Sequence, residues 1–166
     1  MPVYFMHGNR DFMVAGRFAA ETGVRLLPDP SVIDLYGTRT LLMHGDTLCT
    51  GDARYQAFRA QVRDPRWQAA ALTKPLEERL AIARKMREES EGAKQAKTMG
   101  IMDVAPEAVD AAFASSGCGV LIHGHTHRPA RHEHGKERIR WVLPDWYERG
   151  GYLEASPAGL RAVDTF

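Results

Sequence analysis

Cysteine is scarce in this chain: Cys49 and Cys118 are the only two among 166 residues, and they stand far apart. That excludes a disulfide framework and suits a reducing compartment. A dominant charge is also missing, because 22 basic side chains face 21 acidic ones, so no basic field points to nucleic acid as a partner. No apolar run approaches the ~18 residues of a membrane span. The opening Met1-Pro2-Val3-Tyr4-Phe5 lacks the basic and apolar regions of a signal peptide. Low-complexity tracts and flexible linkers are absent too. What remains is length enough for one domain with a core, 44% of it hydrophobic. The expected class is a soluble α/β protein of the cytoplasm.

Three strand ends share one design. Apolar residues run into His-Gly, then into a residue able to bind metal: Met6-His7-Gly8-Asn9, Met43-His44-Gly45-Asp46 and Ile122-His123-Gly124-His125. Glycine lets the backbone close around a ligand at the carboxyl end of a strand. The last of these loops continues through Thr126 to His127, so two imidazoles lie two residues apart. Strands are expected at Val3 to Met6, ending at Leu26-Leu27, and as a hairpin of Val32 to Tyr36 with Arg39 to Met43. A helix is expected from Phe12 to Thr22, closed by Gly23.

From Thr50 to Gly100 the pattern turns helical. Asp52 to Arg63 places Tyr55, Phe58 and Val62 on one face. Pro65 and Pro75 bracket a less regular stretch around Trp67, and Leu76, Leu80, Ala83 and Met86 recur at helical spacing. Residues 52–100 therefore read as a helical insertion, with a basic face of Arg79, Arg84, Lys85 and Arg87. Pro106 opens a further helix to about Ser115. Arg138 to Leu143, Gly151 to Ala155 and Leu160 to Val163 read as antiparallel strands of a second sheet.

Asn9, His44, His125 and His127, with Asp11 and Asp46 nearby, form a donor set of nitrogen and oxygen. Ligation without cysteine favours Mn²⁺ or Fe²⁺, with Zn²⁺ also possible. Arg10 adds a forked, permanently charged donor for phosphate oxygens. Other polar residues have plainer expectations. His7 and His123 pack or hydrogen-bond at strand ends, and His132 and His134 sit in a solvated turn. Asp11 caps the following helix, and Asp46 supports the His44 loop without touching metal. Tyr55 and Phe58 fill the core of the insertion, and Cys49 is buried and inert.

These motifs resemble the calcineurin-like metallophosphoesterases. The finer resemblance is to the UDP-2,3-diacylglucosamine pyrophosphohydrolase branch. It rests on His7 to Phe12 (HGNRDF), His44 to Cys49 (HGDTLC), Tyr55 to Arg59 (YQAFR), Ile101 to Val104 (IMDV) and His123 to Pro129 (HGHTHRP). The resemblance implies a β-sandwich flanked by helices, with residues 52–100 as a cap for acyl chains. It implies two Mn²⁺ per complete site: Asn9, His44 and His125 on one metal and His127 on the other. Arg10 becomes the catalytic cation. Asn9, Arg10, Asp52, Ser90, Lys97 and His125 fall where the family contacts substrate, while Lys94 replaces an Asn that members can carry. The implied reaction is hydrolysis of UDP-2,3-diacylglucosamine, a nucleotide-linked glycolipid, to UMP and the sugar 1-phosphate in lipid A synthesis. It would take place at the cytoplasmic face of the inner membrane.

The family also opens with Asp-x-His and Gly-Asp strand ends, which have no counterpart ahead of His7. The resemblance thus implies a further N-terminal segment on the order of 60 to 80 residues. All 166 residues would be the C-terminal portion of one domain, an incomplete sandwich that is poorly folded and inactive in isolation. Two competing readings are a metallophosphoesterase acting on a soluble phosphodiester or dinucleotide, and a scaffold that has lost catalysis.

Overall fold

A computed structural model describes residues 1–95, 103–147 and 150–165. Lys97, Ile101 and Met102, together with the side chain of Lys94, lie outside the described residues.

The chain opens with β1 (Tyr4–Met6), α1 (Gly16–Thr22) and β2 (Arg25–Leu27), and β1 pairs with β2 in parallel. The helix is shorter than the expected Phe12 to Thr22. Asp11 does not cap it; its carboxylate instead accepts the Gly8 amide at 2.5 Å. Tyr36 and Gly37, both at positive φ, turn β3 (Ser31–Leu35) into β4 (Thr38–Met43). Two left-handed residues in succession match the twist of a tight hairpin.

Next come α2 (Ala53–Arg63), α3 (Pro65–Leu72) and α4 (Leu76–Gln95). The irregular stretch expected around Trp67 is in fact helix α3. Pro65 occupies its first turn, where no N–H is needed, and the Asp64 side chain caps the Arg66 amide. After α5 (Pro106–Ser116) come β5 (Val120–His123), β6 (Ala130–His134), β7 (Arg138–Val142), β8 (Gly151–Ser156) and β9 (Gly159–Asp164).

The main sheet has five strands in the order β3-β4-β5-β7-β6, with β4, β5 and β7 parallel and both edge strands antiparallel. This corrects two expectations. Arg138 to Leu143 does not close a second sheet, because β7 runs beside β5 in the centre of the first. His132 and His134 are not in a turn but on β6; that strand is polar on both faces, so alternation does not reveal it. The remaining sheets are the β1–β2 pair and the β8–β9 hairpin.

The core lies between sheet and helix. Leu41 of β4 and Leu121 of β5 pack with Val109 and Phe113 of α5, joined by Leu48 and Cys118, all of them buried. On the opposite face, Leu42 and Ile122 line a cleft of about 440 Å³ with Leu153 and Leu160 of the β8–β9 hairpin. Adjacent residues on one strand thus serve opposite faces, as the pleat requires. The parallel strands β4 and β5 end together, with Met43 opposite His123, and so deliver their His-Gly turns to one edge. Among the described residues, no helix is long and apolar enough to cross a membrane.

Candidate metal centre

Two backbone contacts join the turns that follow β4 and β5. The Gly124 amide donates to the His44 carbonyl at 3.0 Å, and the His44 amide donates to the Asp29 carboxylate at 3.1 Å. The imidazoles of His44 and His125 then meet edge to face, with ring centroids 5.0 Å apart. The His125 backbone is left-handed at φ 66°, and the Thr126 amide closes a three-residue turn onto the Gly124 carbonyl at 2.8 Å. Such a turn is strained for a residue with a Cβ, and strain of this kind collects at functional sites.

Burial keeps His44 neutral, drawing its pKa below the usual imidazole value against the opposing pull of Asp46 and Asp29. Its Nε2 is buried and has no hydrogen-bond partner among the described residues. A buried polar atom left in that state calls for an explanation, and a neutral imidazole nitrogen is what a metal ion requires. The first loop lies alongside: a Cβ added at Gly8 would sit 3.3 Å from His44 Cε1, which brings the backbone next to Asn9 against the ring.

His127 also has a left-handed backbone, at φ 55°. Its Nδ1 lies 3.3 Å from the Asp145 carboxylate and its ring centroid 5.7 Å from that of Tyr147. A carboxylate on one ring nitrogen fixes the tautomer of a ligating histidine. The structure does not bring His127 into the His44–His125 pair. Among the described residues, no three His, Cys, Asp or Glu side chains gather closely enough to hold a metal. The chain itself offers a two-imidazole site with an amide loop beside it.

Of the other expected site residues, Arg10 is exposed next to Asn9 and Ser90 is exposed on α4. Asp52 caps α2, accepting the Tyr55 amide at 3.1 Å.

Helix α2 ties the loops together through four polar residues, Tyr55, Gln56, Arg59 and Arg63. Asp46 is fully buried and accepts the Tyr55 hydroxyl at 2.7 Å and Arg59 Nε at 2.8 Å. Gln56 donates to the Asp46 and Cys49 carbonyls, and Arg63 to the Gly8 carbonyl at 2.9 Å. Tyr55 is therefore not simply insertion core: its hydroxyl holds Asp46 while its ring stands 5.6 Å from that of His125. Burial pushes the Asp46 carboxyl up, but the Tyr55 bond, His44 and Arg59 outweigh it and hold the group below its ordinary value. The sequence signal for this clamp is the i, i+4 spacing of Tyr55, Arg59 and Arg63, which puts all three on one helical face. Burial pushes the Cys49 thiol up to about 12, leaving it unreactive.

His123 is fully buried behind the pair. Its Nε2 meets Arg140 Nη1 at 3.0 Å and its Nδ1 the Gly124 carbonyl at 2.9 Å. Gly45, at φ 107°, has no room for a side chain: a Cβ there would lie 2.7 Å from His123 Nδ1.

Strand ends, glycine turns and a histidine pair define an α/β protein with a ligand site at the carboxyl edge of its sheet. No family model matches the sequence. Known proteins do. The UDP-2,3-diacylglucosamine hydrolase of Bordetella pertussis is 50% identical over 99% of this chain and 67% of its own length. Those of Xanthomonas campestris and Chromobacterium violaceum are 51% and 52% identical, over 96% and 98% of this chain and 69% of each relative. The chain belongs to the UDP-2,3-diacylglucosamine hydrolase family.

Proposed function

We propose that this protein hydrolyses UDP-2,3-diacylglucosamine to UMP and 2,3-diacylglucosamine 1-phosphate, a step of lipid A biosynthesis, at the cytoplasmic face of the inner membrane. The observation that carries this reading is half identity over nearly the whole chain with hydrolases of that name. The site agrees with it in kind. The unpartnered His44 Nε2 beside His125 fits a first-row divalent cation, and the absence of thiolate favours Mn²⁺ over Zn²⁺.

Asn9, His44 and His125 would hold one metal and His127 the other, within a calcineurin-like metallophosphoesterase fold. A divalent cation there supplies Lewis-acid polarisation of phosphoryl oxygen and an activated water. The chain's own residues do the rest. Arg10 binds and neutralises the pyrophosphate oxygens, whose charge grows in the transition state. Asp145 orients His127, and the α2 clamp of Tyr55, Gln56, Arg59 and Arg63 keeps the His44 and Gly8 loops in place. Helices α2 to α4 form the cap over the acyl chains, with Asp52, Ser90 and Lys97 as substrate contacts.

The test is product analysis on the protein purified from its source cells. UDP-2,3-diacylglucosamine in mixed micelles should yield UMP and the lipid phosphate in equal amounts, with Mn²⁺ restoring turnover after chelation. Faster cleavage of a water-soluble UDP-sugar or dinucleotide would overturn the substrate assignment.

A further inference from the structure

Behind the loop that bears His125 and His127 lies a second polar cavity, of about 200 Å³. Its wall includes Asp103, Thr126, Arg128, His132, Arg140 and Val142. Thr126 and Arg128 alternate with the two histidines, so one loop serves the histidine pair and this cavity at once.

The charge in the cavity does not balance. Asp103 is the one carboxylate among the described residues of its wall, and both its oxygens are engaged: one accepts the Val104 amide at 2.8 Å and the other the Arg128 guanidinium. Arg140 is the second guanidinium and is only 7% exposed. Its bonded partners are two imidazoles, His123 at 3.0 Å and His134 at 3.3 Å. An imidazole can accept a hydrogen bond but brings no negative charge. His132 and His134 are held below their ordinary pKa values by burial and then by Arg140. Among the described residues that line this partly enclosed space, two fixed cations face one carboxylate. A buried guanidinium is costly unless an anion compensates it. Its forked donors match the geometry of a tetrahedral oxyanion, and a threonine hydroxyl adds a further donor.

We propose that this cavity binds a phosphate group, either inorganic phosphate or the phosphomonoester of a nucleotide, between Arg140 and Arg128. The site is separate from the histidine pair and needs no metal, so it stands or falls independently of the hydrolytic reading.

The experiment is calorimetric titration of the chelator-treated protein with inorganic phosphate and with UMP, at constant ionic strength set by chloride. Saturable binding should appear and should raise the melting temperature by mass action. Arg128→Gln should weaken it by about tenfold or more, as expected for loss of a charged, forked donor. Arg140→Lys keeps the charge but loses the fork, and should also weaken binding. If that buried variant fails to fold, Arg128→Gln and Thr126→Val still decide the matter. Tighter binding of UMP than of phosphate assigns the site to the nucleotide, and equal binding assigns it to the phosphate group alone. No saturable binding of either, or unchanged affinity in Arg128→Gln and Thr126→Val, would overturn the proposal.

Discussion

The His44 and His125 imidazoles stand 5.0 Å apart at the ends of neighbouring parallel strands, locked by the bond between the Gly124 amide and the His44 carbonyl. The pair is therefore a property of strand register, since Met43 lies opposite His123 and the next residues turn together. Anything that shifts one glycine turn moves both rings.

Asp46 is where that register is anchored to α2. Arg59→Met would leave a fully buried carboxylate without its cation, costing roughly 3–5 kcal/mol. Tyr55→Phe removes one neutral donor and should cost about 1–3 kcal/mol. Urea denaturation of both variants checks the order. Equal and negligible losses would show that α2 does not support the loop.

Acid should weaken the fold in two stages. Burial above all, with Arg140 adding to it, drives the His123 pKa down to about 4 from the ordinary imidazole value of 6.5. Between those values the unfolded chain binds the extra proton, so stability rises with pH and is lost as pH falls from 6.5 towards 4. The loss is about 3 kcal/mol for a shift of this size. Asp46, held below the ordinary carboxyl value of 3.8, contributes stability above that pH and loses it on further acidification. Urea midpoints measured from pH 7 to pH 4.5 should fall steadily, and His123→Gln should flatten the slope. An unchanged slope in that variant would assign the effect elsewhere.

Arg10 is exposed and should separate activity from stability. Arg10→Lys keeps the charge but loses bidentate geometry, and is expected to lower kcat/KM by about 10- to 100-fold, one to two steps of 1.4 kcal/mol. Its unfolding free energy should stay within about 0.5 kcal/mol of the parent. Steady-state kinetics beside a denaturation curve decides this, and a variant with undiminished turnover would remove Arg10 from the reaction.

The parts of this protein written locally were legible in its sequence. Apolar runs ending in His-Gly announced the ends of β1, β4 and β5, and Pro106 marked the start of α5. Parts that depend on distant partners were not. Strand β6 carries polar residues on both faces because β7, rather than a core, orders it. Helix α3 hides behind a proline that starts it instead of breaking it. The clamp from Tyr55, Arg59 and Arg63 and the Arg140–His123 contact join residues whose pairing no local pattern records. Asp145 reaches His127 only because β7 lies beside β5.

The most direct test of the metal reading is a manganese titration followed by electron paramagnetic resonance, which sees free Mn²⁺ and loses the signal on binding. The protein should remove manganese from solution stoichiometrically, and His44→Ala and His125→Ala should each weaken that uptake by more than the 10- to 100-fold typical of residues that only support a ligand. Uptake unchanged in both variants would contradict the assignment of the histidine pair as a metal centre.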